Sequence, residues 1–371
     1  MKVMTIVGTR PEIIRLSRIV DKLDKFTQHV LVHTGQNYDY ELNEIFFKEL
    51  EIRKPDYFLE AAGINSAQTI GNVIIKTDEV LEKEKPDALL VLGDTNSSLS
   101  VIPAKRRRIP IFHMEAGNRC YDLRVPEEIN RKIVDHTADI NLPYSNIARE
   151  YLLREGFPPE QIIKTGSPMY EVLDFYRSKI ERSDILTRLC LQQSNYFVLS
   201  IHREENVDSE DKLKKIACIL NEICDHYGLP IIFSTHPRTR NRLESYKIKL
   251  NPLVQVLKPL GFIDYVNLQM KSLCVISDSG TITEESSIMN FTAITLREVH
   301  ERPEGMEEGV VIMTGLDNEM VLNSIQIAIN TKVLNKKIVE DYLAPDVSTK
   351  ILKIIMSYTG FINRRIWKKN E

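Results

Sequence analysis

The sequence has no hydrophobic run long enough to cross a bilayer; its longest apolar stretches, such as Ala88 to Leu92, are strand-sized. The N-terminus enters one of these runs without the layout of a secretory signal, so a soluble, cytoplasmic protein is expected. One-sided charge is also missing. The 49 basic and 52 acidic residues leave a formal net charge of -3, which asks for neither nucleic acid nor a membrane surface as partner. The five cysteines, Cys120, Cys190, Cys218, Cys224 and Cys274, form no CxxC pair. A disulfide framework and a structural zinc site are thereby excluded, and reduced, mostly buried thiols are expected. No HExxH or related spacing occurs, so no catalytic metal is expected. The first apolar run ends in GTRPE rather than GxGxxG, which argues against a dinucleotide dehydrogenase. No solenoid period and no low-complexity segment is present.

What the chain does have is alternation. Apolar, β-branched runs recur at Val3 to Val7, His29 to His33, Ala88 to Leu92, Ile109 to His113, Phe197 to Ile201, Ile231 to Ser234 and Leu273 to Ser277. Helical-length segments with 3.6-type spacing separate them, which predicts βαβ units and parallel sheets. At 371 residues one core is unexpected. The polar stretch from Tyr176 to Asn195 marks the junction between two series, giving an α/β protein of two Rossmann-like, doubly wound domains, 1–170 and 171–355. Ligands of such folds sit at the carboxyl ends of strands, so the cleft between facing domains is the expected site.

Reactive residues do gather after the strands. The first strand is followed by Gly8-Thr9-Arg10-Pro11-Glu12, the next by Thr34-Gly35-Gln36, and others by Gly93-Asp94-Thr95 and by Glu115-Ala116-Gly117-Asn118-Arg119. In the second series the ends read His202-Arg203-Glu204-Glu205-Asn206, Thr235-His236-Pro237-Arg238, Asp278-Ser279-Gly280-Thr281, and Arg297 through Glu304. Each has a plain structural alternative: Asp94 could cap the helix after it, Glu115 could pair with Arg119, and Ser279 or Thr281 could be a helix cap. The basic run Lys105 to Arg108 reads as a solvated helix end. Taken together, the carboxylates Asp94, Glu115 and Glu127 fall in one domain and a phosphate-type anchor of His202, Ser279, Gly280 and Arg302 in the other. A strand ending in Asp-Ser-Gly with a helix starting at once turns backbone N–H groups and a helix dipole toward an anion.

The motifs GTRPE, HTGQ, GDT, EAG, VPEEINR, TGSP, HREEN, DSGTITEE and ERPEG, in this order over nearly the whole chain, resemble the non-hydrolysing UDP-N-acetylglucosamine 2-epimerase family. The resemblance implies a GT-B-like arrangement, a C-terminal helix (356–371) crossing back onto the first domain, a homodimer, no cofactor, and inversion of C2 in a UDP-2-acetamido sugar. It implies that Arg10, His202, Ser279, Gly280, Glu285 and Arg302 hold UDP, with Arg15, Arg203, Tyr265 and Thr281 as further substrate contacts. Asp94, Glu115, Glu127 and His202 are then the catalytic set.

Three departures from the usual family pattern stand out: Glu204 for an Arg in HREEN, Asn118 for a Leu in EAGNR, and Arg15 for a Lys. They resemble the subgroup that makes UDP-N-acetyl-L-fucosamine for capsule and O-antigen synthesis. The segment NYDYELNE keeps little of the pattern that binds an activating second substrate in the GlcNAc enzymes, so substrate activation is not implied. The family route is anti elimination of UDP to a 2-acetamidoglycal and re-addition, which asks for two carboxyl groups in opposite protonation states; their assignment among Asp94, Glu115 and Glu127 stays open. A GT-B glycosyltransferase and a non-catalytic nucleotide-sugar binder are the rival classes.

Overall fold

The computed structural model describes residues 1–35, 40–235, 237–331 and 338–369. The chain forms two compact units, Met1–Val172 with Asp341–Glu371, and Leu173–Glu340. The first holds a six-stranded parallel sheet of β1 (Lys2–Val7), β2 (Gln28–His33), β3 (Tyr57–Phe58), β4 (Ala88–Leu92), β5 (Ile111–Met114) and β6 (Ile140–Leu142), in the order β3-β2-β1-β4-β5-β6. β1 pairs with β2 from Lys2↔Gln28 to Val7↔His33 and with β4 through Thr5↔Leu90. Helices cover both faces of a parallel sheet, so its central strands are apolar throughout rather than alternating. Every residue of β4 is buried, and Met4, Ile6, Val32, Leu89, Val91 and Ile111 share one core.

The second unit repeats the plan. Its strands are β7 (Phe197–Ser200), β8 (Ile231–Ser234), β9 (Val254–Leu257), β10 (Cys274–Ser277), β11 (Ala293–Thr295) and β12 (Ile312–Met313), ordered β12-β11-β10-β7-β8-β9. Counted from the first strand of each unit, both sheets read 3-2-1-4-5-6, the doubly wound order. That order reverses direction between β1 and β4 and between β7 and β10, so a crevice opens beyond the carboxyl ends of those pairs.

The strands absent from the sequence reading, β3, β6, β9, β11 and β12, lie outermost or next to outermost, where two to four residues suffice and no long apolar run forms. The C-terminal helix runs Val347–Arg365, longer than the 356–371 stretch suggested, because its apolar stripe (Val347, Ile351, Ile354, Ile355, Ile362) starts earlier. It packs on the helix Arg10–Phe26 of the first unit, and Ser348 donates to Glu171 from both its N–H (2.8 Å) and its hydroxyl (2.5 Å).

Two local expectations need correcting. Only Cys224 and Cys274 are buried; Cys190 and Cys218 are exposed and Cys120 lies between, since the last three sit in surface loops or on a helix face turned outward. The basic run is no simple solvated end: Lys105 reaches the buried Asp139 at 2.5 Å and Arg107 forks onto Asp78 at 2.5 and 2.9 Å. A buried carboxylate needs such a partner.

Candidate active site

In the first unit the helix Arg10–Phe26 starts directly after β1, with Pro11 in its first turn and a capping box between Thr9 and Glu12. Arg10 is half-buried, its guanidinium 5.6 Å from the Phe46 ring centroid. Arg15, one turn on, is buried; it pairs with Glu115 and lies over the Tyr144 ring at 5.9 Å. Asp94 follows β4 and Gly93, whose φ of 72° makes the turn easy for glycine alone. Glu115 follows β5 at a φ of 63°, a left-handed conformation that a glutamate adopts at a cost and that marks a position held by its surroundings. Its two carboxylate oxygens are taken from two sides: Oε2 by Arg15, and Oε1 by Asn118 Nδ2 at 3.3 Å.

The helix Pro126–Thr137 carries Glu127 in its first turn, half-buried. One turn later come two residues that reach Asp94. Asn130 Nδ2 donates to the Asp94 carbonyl at 2.8 Å, and Arg131 Nε donates to Asp94 Oδ2 at 2.7 Å. Because residues four apart share a helix face, Glu127 stands on the side that Arg131 turns to Asp94. Arg131 in turn is braced by the fully buried Glu128 at 2.9 Å.

In the second unit the DSG turn after β10 is organised by Asp278, which is fully buried. Its carboxylate accepts from the backbone N–H of His202 (3.1 Å) and of Arg203 (3.1 Å) and from Asn206 Nδ2 (3.0 Å), so it ties the HREEN loop after β7 to the neighbouring strand. His202 Nδ1 sits 3.3 Å from Asp278 Oδ1 while the ring stays largely exposed. Ser279 Oγ accepts from Thr281 N–H (3.3 Å) and bonds the Thr281 hydroxyl (2.9 Å), ahead of the helix Ile282–Met289.

Three arginines close on that turn. Arg302 Nε donates to the Gly280 carbonyl at 3.0 Å. Around Gly280 a Cβ would lie 3.4 Å from Glu301, 3.5 Å from Arg297 and 3.9 Å from Arg203, ordinary contact distances that show how closely these side chains gather on the turn. Glu284, fully buried, pairs with Arg302 at 3.3 Å, and Glu301 pairs with Arg203 at 3.1 Å and Arg297 at 2.9 Å. The three arginines face three carboxylates, Asp278, Glu284 and Glu301, so what this turn offers an anion is guanidinium N–H groups at the start of a helix rather than net charge. Glu285 lies half-buried with Oε2 accepting from Gln269 at 2.8 Å, and Tyr265 is half-buried in the helix Phe262–Lys271.

The plain alternatives for these residues fare unevenly. Asp94 is not the cap of the following turn; Thr95 is, accepting from Ser97 N–H at 3.3 Å. Glu115 does not pair with Arg119, which is bound instead to Asp135 at 2.8 Å and Glu155 at 2.6 Å. Ser279 does hold the Thr281 N–H, as a small local turn before the helix. Gln36 of HTGQ, the first residues of NYDYELNE (37–39) and His236 lie outside the described residues. Sequence reasoning missed Asn130, Arg131, Asp278, Glu284, Arg297 and Glu301 as supports. Each but Arg297 stands within a quoted motif, and Arg297 opens the stretch that leads to ERPEG, but the partner is tens of residues away or hidden in a charge-rich run.

Burial dominates the proton chemistry around the first unit's turns. It pushes the Glu12 carboxyl up to about 7, against hydrogen bonds from Thr95, Gly8 and Thr9 that pull the other way. It pushes the His33 imidazole down to about 4, so that ring is neutral, accepting from Gly35 N–H at 3.0 Å and stacked on Phe58.

Residues 21–356 match the family model described as UDP-N-acetylglucosamine 2-epimerase. The structure of UDP-N-acetylglucosamine 2-epimerase from Rickettsia bellii is 53% identical, with a TM-score of 0.91 and 100% of both chains covered. That of the Methanocaldococcus jannaschii UDP-GlcNAc 2-epimerase in complex with UDP-GlcNAc and UDP is 33% identical, with a TM-score of 0.90 and 96% of this chain and 99% of that chain covered. The UDP-2,3-diacetamido-2,3-dideoxy-D-glucuronate 2-epimerase of Pseudomonas aeruginosa is 33% identical over 338 residues, 90% of this chain and 94% of that protein. The α/β fold with two six-stranded parallel sheets thus matches GT-B-like epimerase structures.

Proposed function

Because the chain belongs to the UDP-N-acetylglucosamine 2-epimerase family of non-hydrolysing isomerases and is itself a UDP-sugar 2-epimerase, we propose that it converts UDP-2-acetamido-2,6-dideoxy-L-talose to UDP-N-acetyl-L-fucosamine. The observation that carries this choice of sugar is the grip on Glu115. Two of the three departures from the usual family pattern, Arg15 and Asn118, converge on its two carboxylate oxygens. The residues that set a carboxylate beside the sugar are therefore the ones that differ. The Pseudomonas aeruginosa relative, named for another UDP-sugar at similar identity, supports the view that the overall likeness does not choose the sugar.

The chemistry follows from the weak acidity of the C2 proton in an acetamido sugar. Loss of UDP from C1 builds oxocarbenium character and acidifies C2–H; a carboxylate takes that proton, the C1–O bond breaks, and UDP leaves with the electron pair. The product is a 2-acetamidoglycal. UDP then adds back to C1 while a carboxyl on the other face delivers a proton to C2. In this reading Asp94, Glu115 and Glu127 move the protons. Arg10, His202, Arg203, Ser279, Gly280, Thr281 and Arg302 stabilise the departing diphosphate where negative charge develops, and Glu285 and Tyr265 bind the nucleoside. No cofactor is required, and the enzyme works as a cytoplasmic homodimer supplying capsule or O-antigen synthesis.

The test is an NMR assay in D2O without added metal, run separately on the UDP-6-deoxy-L-talose sugar and on UDP-GlcNAc. Deuterium at C2 of the epimerised L-sugar is the expected result, with UDP and glycal released from stalled turnovers. Turnover of UDP-GlcNAc alone would replace the substrate reading by UDP-GlcNAc/UDP-ManNAc interconversion. Epimerisation that keeps protium at C2 would sink the elimination route.

A further inference from the structure

The turn that carries Asp94 is held by two residues outside the set assigned to substrate and proton transfer above. From the helix Pro126–Thr137, Arg131 Nε bonds Asp94 Oδ2 at 2.7 Å while its Nη1 bonds the fully buried Glu128 at 2.9 Å. The guanidinium plane is thus fixed by Glu128 and presents its remaining edge to Asp94. From the helix Arg10–Phe26, Glu12 is buried and uses its two oxygens separately: Oε2 accepts from Gly8 N–H (2.5 Å) and Thr9 N–H (3.2 Å), and Oε1 accepts from the Thr95 hydroxyl (2.5 Å). A glutamate that served only as the capping box needs the first set of contacts alone. Its second oxygen reaches across to the neighbour of Asp94 in another loop.

We propose that Arg131 and Glu12 are positioning residues for epimerisation, the first orienting the Asp94 carboxylate and the second fixing the Asp94-Thr95 backbone through the Thr95 hydroxyl. This rests on the reading of Asp94 as a proton-transfer group. Proton transfer tolerates little misplacement: an ångström can cost about a hundredfold in rate. Arginine suits position 131 because its planar fork bonds Asp94 through Nε and Glu128 through Nη1 at a fixed spacing, whereas lysine, a single ammonium on a flexible stem, supplies the charge without fixing the direction of the bond to Asp94.

The variants are Arg131→Lys, which keeps the charge, and Thr95→Val, which removes the hydroxyl that bonds Glu12 and caps the turn at Ser97 while leaving the Glu12 side chain itself in place. Both are assayed well below their melting temperatures with the sugar nucleotide that the wild type epimerises. The expected result is a kcat reduced about tenfold to a hundredfold for Arg131→Lys and about threefold to tenfold for Thr95→Val, with KM and UDP affinity within threefold. A merely structural role would lower the melting temperature and leave the kcat of the folded fraction alone. Wild-type kcat in either folded variant overturns the proposal, as does a loss that falls on KM and UDP affinity instead. If Arg131→Lys does not fold, Thr95→Val decides by the same criterion. The outcomes are separable from the underlying reading, because a wild type that epimerises no UDP-sugar refutes the reading, while a wild type that turns over beside equally fast variants refutes only the positioning role.

Discussion

The two units share one strand order and use it for opposite charges. In the first, two of the three candidate carboxylates are backed by a more deeply buried arginine: Asp94 is 22% exposed against 3% for Arg131, and Glu115 11% against 4% for Arg15. In the second the roles reverse, with Arg302 at 6% against 0% for Glu284 and Arg203 at 14% against 10% for Glu301. In these four pairs the deeper member supports and the shallower one faces out; Arg297, at 5% against 10% for Glu301, is an arginine on the supporting side. The first unit therefore presents acid from the turns after β4 and β5, and the second presents guanidinium from the segments after β7 and β11, which hold the first and fifth places in the same strand order. Topology chooses where a site forms; the choice of buried partner decides its sign.

The largest effect expected from this contrast lies in the first unit. Asp94→Asn and Glu115→Gln keep size and most hydrogen bonds but remove the titrating carboxyl, so turnover should fall by about a hundredfold or more. UDP affinity, measured by calorimetry, should stay within a few-fold because the nucleotide contacts, Arg10 apart, are assigned to the other unit. If both variants turn over at near wild-type rate, the acids of the first unit are structural and the contrast is one of stability only.

The reverse experiment is smaller. Arg302→Ala should weaken UDP binding by about tenfold to thirtyfold, the scale of one charge-assisted hydrogen bond, and should also lower the melting temperature, since the buried Glu284 loses its partner. Adding Glu284→Gln separates these two effects: the melting temperature should recover and the UDP affinity should not. Recovery of both would mean that Arg302 acts on the fold and not on the nucleotide.

How far the sequence carried this picture depends on the range of the interaction. The central strands were readable because burial on both faces writes an apolar run, as in Ala88–Leu92 and Phe197–Ser200 up to its last residue. The reactive turns were readable because this architecture places them directly after strands. The pairings were not. Nothing local says that Arg131 belongs to Asp94 or that Glu115 belongs to Arg15, a hundred positions away in sequence, and the nearer candidate Arg119 proved to serve Asp135 and Glu155. Asp278 looked like one more member of a phosphate-type turn, yet it is the anchor for the HREEN loop. Its signal was a charged residue at the end of a run that is otherwise buried, a place where carboxylates survive only with several donors.

The smallest expected effect carries the contrast into proton linkage. His33, in the first unit at the end of β2, is held neutral by burial, with its titration moved down to about 4 from an ordinary value of 6.5. Between those values the unfolded chain binds a proton that the folded chain refuses, so this residue's contribution is intact above pH 6.5 and is lost as pH falls toward 4. From pH 6 to pH 5 the loss comes to about 1 kcal/mol, roughly fivefold in the folding equilibrium. His33→Asn offers an amide oxygen near the position of Nδ1, so the hydrogen bond from Gly35 N–H is kept while the titration is removed. Chemical unfolding of wild type and variant at the two pH values should show the variant less sensitive by about that amount. An identical pH dependence in both would mean that His33 accepts its proton in the folded state and that burial does not exclude the charge.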